Sequence, residues 1–161
     1  MSITVDITIS DELETVEGLK SGTENLAGDV PELGLLQTWA EAAYLDDVAA
    51  IASMLITTSD DMRELNKQYR DKDKATNVLS FPMESPEEVD ICLLGDIVLC
   101  AKVIKQEAEL QSKSEESHWA HMVVHSMLHL QGFDHVNSDD AEKMEQLEVN
   151  ILHQLGFDNP Y

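Results

Sequence analysis

Positive charge is what this chain has least of: 10 lysines and arginines stand against 32 aspartates and glutamates, a formal net charge of −22 with the histidines neutral. Taken alone, such a surface repels a polyanion and argues against nucleic acid as a partner. The scarce cations are clustered, however. Arg63, Lys67, Arg70, Lys72 and Lys74, half of them, fall within residues 63–74, and that window can neutralise no more than about five phosphates. Apolar runs long enough to cross a bilayer are missing too, since Gly95-Asp96 interrupts the best candidate, ICLLGDIVLC. The opening MSITVDITIS has neither the basic region nor the unbroken apolar region of a secretory leader. A soluble, cytoplasmic protein is expected. Cysteine is limited to Cys92 and Cys100, whose spacing in a strand-like segment excludes a CxxC redox or zinc pair and suits buried thiols. Internal repeats, low-complexity tracts and Pro/Gly-rich linkers are absent, so residues 1–161 are read as a single domain. Its 43% of hydrophobic residues can build a core.

Periodicity supplies the elements. ITVDITIS alternates as a half-buried strand does, and an acidic, irregular connection runs from Ser10 to Val30. A helix is expected after Pro31, in ELGLLQTWAEAAY, then a strand at Ala50–Thr57. Thr58 and Ser59, followed by Asp60 and Asp61, supply the cap and charge for a helix reaching Arg70. TNVLSFP and ICLLGDIVLC read as strands on either side of the acidic turn ESPEEVD. Helices follow at about Ala101–Gln111 and Ser117–Leu130, the second stopped by Gly132. The last starts at Ser138, buries Met144, Leu147, Ile151 and Leu155, and stops at Gly156. The intermixing of strands and helices makes the class α/β or α+β.

Against this background HMVVHSMLHLQGFDH, residues 121–135, is anomalous: five of the six histidines fall between His118 and His135. His118, His121, His125 and His129 share one helix face, within an arc of roughly 80° at 100° per residue. Rise decides among them. At 1.5 Å per residue His121 is about 12 Å along the axis from His129, whereas ligands of one metal ion are most naturally a single turn apart. That selects His125 with His129. Gly132 lets the chain turn, so His135 can close a three-histidine site at the end of the helix, with water in the remaining position. Three neutral imidazoles and an open position are the donor set of a catalytic zinc site. His121 is expected to pack or to support a ligand, and His118 to be solvated. The skeleton also matches the H-E-x-x-H-x-x-G-x-x-H of metzincin proteases, but Ser126 stands where their glutamate base belongs and cannot take up a proton at neutral pH.

HSMLHLQGFDH resembles the H-G-x-L-H-L-x-G-Y-D-H signature of the YbeY family of metal-dependent endoribonucleases. LNKQYRDKDKATNVLSFP, residues 65–82, is similar to the segment joining that family's arginine to its T-(D/N)-V-L-S-F-P strand, and LLGDIVLC, residues 93–100, to its L-G-D-I strand. The similarity runs from about Trp39 to the C-terminus. It implies a small mixed sheet of about four strands packed with about five helices, zinc on His125, His129 and His135, and a functional arginine at Arg70. It implies single-strand-specific cleavage in maturation of the 16S ribosomal RNA 3′ end and in ribosome quality control. Ser126 replaces the family's glycine and Phe133 its tyrosine, the first bearing on the floor of the pocket.

A guanidinium suits the assigned task, because it offers parallel donors to phosphoryl oxygens that gain charge during RNA cleavage. Spacing alone equally allows Arg70 to end its helix against the C-terminal dipole. Asp96 and Asp134 are each read as either orienting a histidine or being satisfied by backbone, with no catalytic role assigned. The expected cofactor is one zinc ion, with nickel or another transition metal the alternative. The expected partners are ribosomal RNA and the small ribosomal subunit with its basic proteins, not membrane or DNA. The rival functions are a metzincin-like zinc metalloprotease and a non-catalytic zinc-containing ribosome-assembly factor.

Overall fold

The computed structural model describes residues 3–10, 30–84 and 91–161. Apart from their end residues, the connection expected at Ser10–Val30 and the turn expected at 84–90 lie outside the described residues. Four strands and five helices follow one another: β1 (Ile3–Ile9), α1 (Leu33–Ala43), β2 (Ala50–Thr57), α2 (Ser59–Arg70), β3 (Val78–Pro82), β4 (Cys92–Cys100), α3 (Ala101–Leu110), α4 (Glu115–Leu130) and α5 (Ser138–Gln154). The sheet order is β1-β2-β4-β3. β1 and β4 run parallel to the central β2, and β3 returns antiparallel along β4. This is the mixed four-stranded α/β arrangement expected.

The alternation along β2 shows how the layers form. Ala50, Ala52, Met54 and Ile56 are buried and join the main core under Leu36 and Trp39 of α1 and Val123, Val124 and Met127 of α4. The odd-numbered residues face the other side, where Met62 of α2 covers Leu79, Val98 and Cys100 in a smaller cluster. Cys100 is buried and Cys92 half-buried, close to the expected environment. Edge strand β1 does not leave its backbone bare: the Gln37 amide of α1 accepts from Val5 N–H at 3.1 Å and donates to Ile3 O at 3.1 Å, as a neighbouring strand would.

α4 begins at Glu115 rather than Ser117, because Ser114 caps it by accepting from Ser117 N–H at 3.1 Å. It is buried on nearly every side, which corrects the expectation for His118. That histidine is 2% exposed, and its Nε2 meets Glu107 Oε1 at 2.9 Å. A helix covered all round has no solvated face for periodicity to reveal.

Gly95 marks the point where the β2–β4 register slips. Its φ is +139°, and a Cβ there would lie 2.2 Å from Phe81 O and 3.1 Å from Leu130 Cδ2. Gly95→Ala is therefore expected to cost at least about 2 kcal/mol from backbone strain and clash together. Equilibrium denaturation would measure it, and a change below about 0.5 kcal/mol would show that the strand moves aside freely.

Candidate metal centre

Two caps build the site. At the end of α4, Gly132 adopts φ +98° and donates to His129 O at 3.0 Å, while Phe133 N–H donates to Leu128 O at 3.1 Å. This is a Schellman turn, in which glycine takes the left-handed position without a Cβ penalty. Gln131 ties the same turn to α1, donating to Ala43 O at 2.7 Å and accepting from Leu45 N–H at 2.9 Å. A few residues on, Asn137 caps α5 by accepting from Asp140 N–H at 2.9 Å. His135 lies between the two caps, with its N–H on Asp134 Oδ1 at 2.7 Å.

The result brings together His125, His129 and His135, whose ligating atoms all lie within 4.8 Å of one another. His129 Nε2 faces His125 Nε2 at 3.0 Å, close to the roughly 3.3 Å between two nitrogens sharing a tetrahedral ion at 2.0–2.1 Å. Burial first, then the neighbouring His125 and His135, push the His129 imidazole below its usual pKa, which favours the neutral form a metal needs. An all-nitrogen donor set suits zinc, nickel or another transition metal over magnesium or calcium.

Glu148, which the sequence reading did not pick out, stands behind these rings. It is 0% exposed, and each of its oxygens is engaged: Oε1 with His125 Nδ1 at 2.5 Å, Oε2 with His121 Nε2 at 3.0 Å and with the Tyr161 hydroxyl. Burial alone would raise this carboxyl, but the hydrogen bonds from His121, His125 and Tyr161 outweigh it and hold the pKa at about 2. An ionised Glu148 accepts the His125 Nδ1–H and so leaves the Nε2 lone pair directed at the histidine cluster. His121 thus shares the Glu148 carboxylate with His125, each on its own oxygen. His121, His125 and Glu148 also converge as possible ligands. Hydrogen bonds already account for that group, however, and a fully buried carboxylate leaves no room for water to complete an ion's shell.

Across from the histidines, the turn after α2 supplies the charge. Asn66 is 3% exposed and holds this turn twice, its carbonyl accepting from Lys72 N–H at 3.3 Å and its Nδ2 donating to Lys74 O at 2.9 Å. Arg70 donates to Tyr69 O at 3.2 Å and to Ser80 O at 2.9 Å, and its guanidinium lies 5.0 Å from the Phe81 ring centre. It therefore meets the end of its own helix and is also anchored to β3. Arg70, Lys72 and Lys74 line one cleft of about 880 Å³ with His125, His129 and His135.

Several expectations change here. Arg63 and Lys67 do not line that cleft; Arg63 is exposed and paired with Asp73, Nε to Oδ1 at 2.7 Å. Asp96 is exposed and lines a separate cleft of about 580 Å³ with Asp6, Ser53 and Phe81, on the α2 side of the sheet. The pleat that sends Ile97 and Leu99 into the main core turns Asp96 to the opposite face, so neither role expected for it holds. Asp134 stays at the cleft, holding His135 N–H. Ser126 is buried and turns back onto its own helix, donating to Met122 O at 2.8 Å, so it does not shape the pocket floor.

The family model described as "Endoribonuclease YbeY" matches residues 33–156. The solution structure of TM1509 from Thermotoga maritima superimposes with a TM-score of 0.50 at 22% identity, covering 95% of this chain and 92% of that one. That likeness bears on the fold. Among the described residues, no helix is long and apolar enough to cross a membrane.

Proposed function

The chain belongs to the YbeY endoribonuclease family, and from that premise we propose that it is a metal-dependent endoribonuclease of the cytoplasm. Its substrate in this reading is single-stranded ribosomal RNA, cut in maturation of the 16S 3′ end and in ribosome quality control. The observation that carries the reading is the sharing of one cleft by three convergent imidazoles and the cations Arg70, Lys72 and Lys74.

His125, His129 and His135 would hold the ion, zinc or else nickel or another transition metal. When bound, the ion supplies Lewis-acid polarisation at the scissile phosphate. The chain's own groups do the rest. Glu148 fixes the tautomer and orientation of His125. Arg70, steadied by Ser80 O and Phe81, directs its remaining N–H groups at phosphoryl oxygens as they gain charge. Lys72 and Lys74, on a turn clamped by Asn66, neutralise flanking phosphates. Ser126 offers no base, which favours RNA over peptide cleavage. The test is cleavage of single-stranded RNA ending in the 16S 3′ sequence, measured with metal content on one preparation. Metal-loaded protein that hydrolyses peptide and leaves RNA intact would reverse the reading.

Three cleft cations in place of the window's five lower the expected salt dependence. With about −0.7 per phosphate on a single strand, log affinity against log salt should have a slope near −2. The chain's net charge of −22 then makes bare RNA a weak ligand and suits docking beside basic proteins of the small ribosomal subunit. Parallel salt titrations of free RNA and of subunits check this; a slope steeper than about −4 on free RNA, with no gain from the subunit, would exclude it.

A further inference from the structure

The metal centre is tied to a segment that contributes no ligand to it. Beyond α5, the chain from Phe157 to Tyr161 is held at successive points. Phe157 N–H donates to Leu152 O at 2.8 Å, and its ring meets Trp39 edge-on at 5.9 Å. Lys113 Nζ donates to Pro160 O at 2.8 Å, and Tyr161 N–H donates to Asn159 Oδ1 at 2.8 Å. These contacts deliver one polar atom to the interior. Tyr161 is 60% exposed as a residue, yet its hydroxyl donates to the fully buried Glu148 Oε2 and its ring stands edge-on to His121 at 5.3 Å.

We propose that Tyr161 is a positioning residue for the metal site: its hydroxyl holds Glu148 in the orientation that directs His125 at the ion, so that metal affinity and docking of residues 157–161 depend on each other. The inference rests on the metal-binding reading above. Glu148 has two oxygens and several lone pairs. Donors from His121 and Tyr161 on Oε2 leave Oε1 to His125 alone, so losing one Oε2 donor frees the carboxylate to rotate. Coupling of this kind is reciprocal: whatever docking contributes to metal affinity, metal contributes to docking.

The experiment uses the full chain, stripped of metal and titrated with Zn²⁺ against a chromogenic chelator, for the wild type, Tyr161→Phe and Glu148→Gln. Tyr161→Phe keeps the ring and its edge-on contact with His121 and removes only the hydroxyl, which donates to Glu148 Oε2 and lies 3.4 Å from His121 Nε2. It is expected to weaken Zn²⁺ binding by about 10-fold, and Glu148→Gln by up to about 100-fold, the range found when groups that orient ligands are lost. Hydrogen exchange at the Phe157, Asp158, Asn159 and Tyr161 amides should slow on adding Zn²⁺ to the wild type and respond much less in Tyr161→Phe. A merely structural tyrosine would lower the denaturation midpoint of the metal-free protein and leave Zn²⁺ affinity and metal-dependent exchange as they are. Tyr161→Phe affinity within twofold of wild type, with exchange still responsive to Zn²⁺, overturns the proposal. A wild type that takes up no Zn²⁺ overturns the metal reading and this inference with it, whereas RNA left uncut by a protein that binds Zn²⁺ and shows the coupling overturns only the nuclease reading.

Discussion

His129→Ala is expected to strip the protein of metal and of RNA cleavage together while leaving it folded. His129 supplies the nitrogen that faces His125 Nε2 at 3.0 Å, and the other ring nitrogen of His125 is already engaged with Glu148. Removing a group that merely orients a ligand costs about 10- to 100-fold in metal affinity, so removing a ligand should cost more than about 100-fold. Two imidazoles and water would then compete poorly for the ion. The fold has little stake in this ring, because the turn it sits on is held by backbone bonds from Gly132 and Phe133 and by Gln131. Elemental analysis, cleavage rate and far-ultraviolet circular dichroism on one preparation check the three parts. One metal per chain retained in alanine variants of His125, His129 and His135 alike would remove the site from this cluster.

Arg70→Lys should lower RNA cleavage by roughly 100-fold with metal content and stability kept. Arginine has five N–H donors in a planar fork. Here it gives one to Tyr69 O and one to Ser80 O, and the others remain for a phosphate in the cleft. Lysine has a single ammonium that cannot span both carbonyls and a substrate. If the contact with Tyr69 O at the helix end were all that Arg70 provides, the lysine variant would turn over RNA at the wild-type rate. Single-turnover rates at saturating RNA distinguish the cases, since a loss confined to binding would disappear there.

Much of this was legible along the chain because it rests on short-range rules. A helix puts His125 and His129 one turn apart whatever surrounds it, and a glycine stop lets His135 return. The cap at Thr58, the strand alternation and the intervening turns are local as well, and so most elements fell within a residue or two of where they were expected, α5 capped by Asn137 and α4 by Ser114. Glu148 was legible in principle: it occupies a core-facing position between Met144 and Ile151 of α5, and a carboxylate at such a position has a buried partner to find. Which partner could not be read, because His121, His125 and Tyr161 come from other parts of the chain.

What the sequence determined by itself is therefore the identity and spacing of the three histidines that converge, the element order and the cluster of cations in residues 63–74. Tertiary structure alone decided which of those cations meet the cleft, dividing Arg70, Lys72 and Lys74 from Arg63 and Lys67. It also decided that His118 is buried on Glu107 and that Asp96 faces away from the histidines. The physical reason is common to all three. Periodicity gives the angle of a side chain about its own helix or strand, but burial and charge pairing depend on what another element places at that angle, and only packing of the sheet between α4 and α2 supplies it.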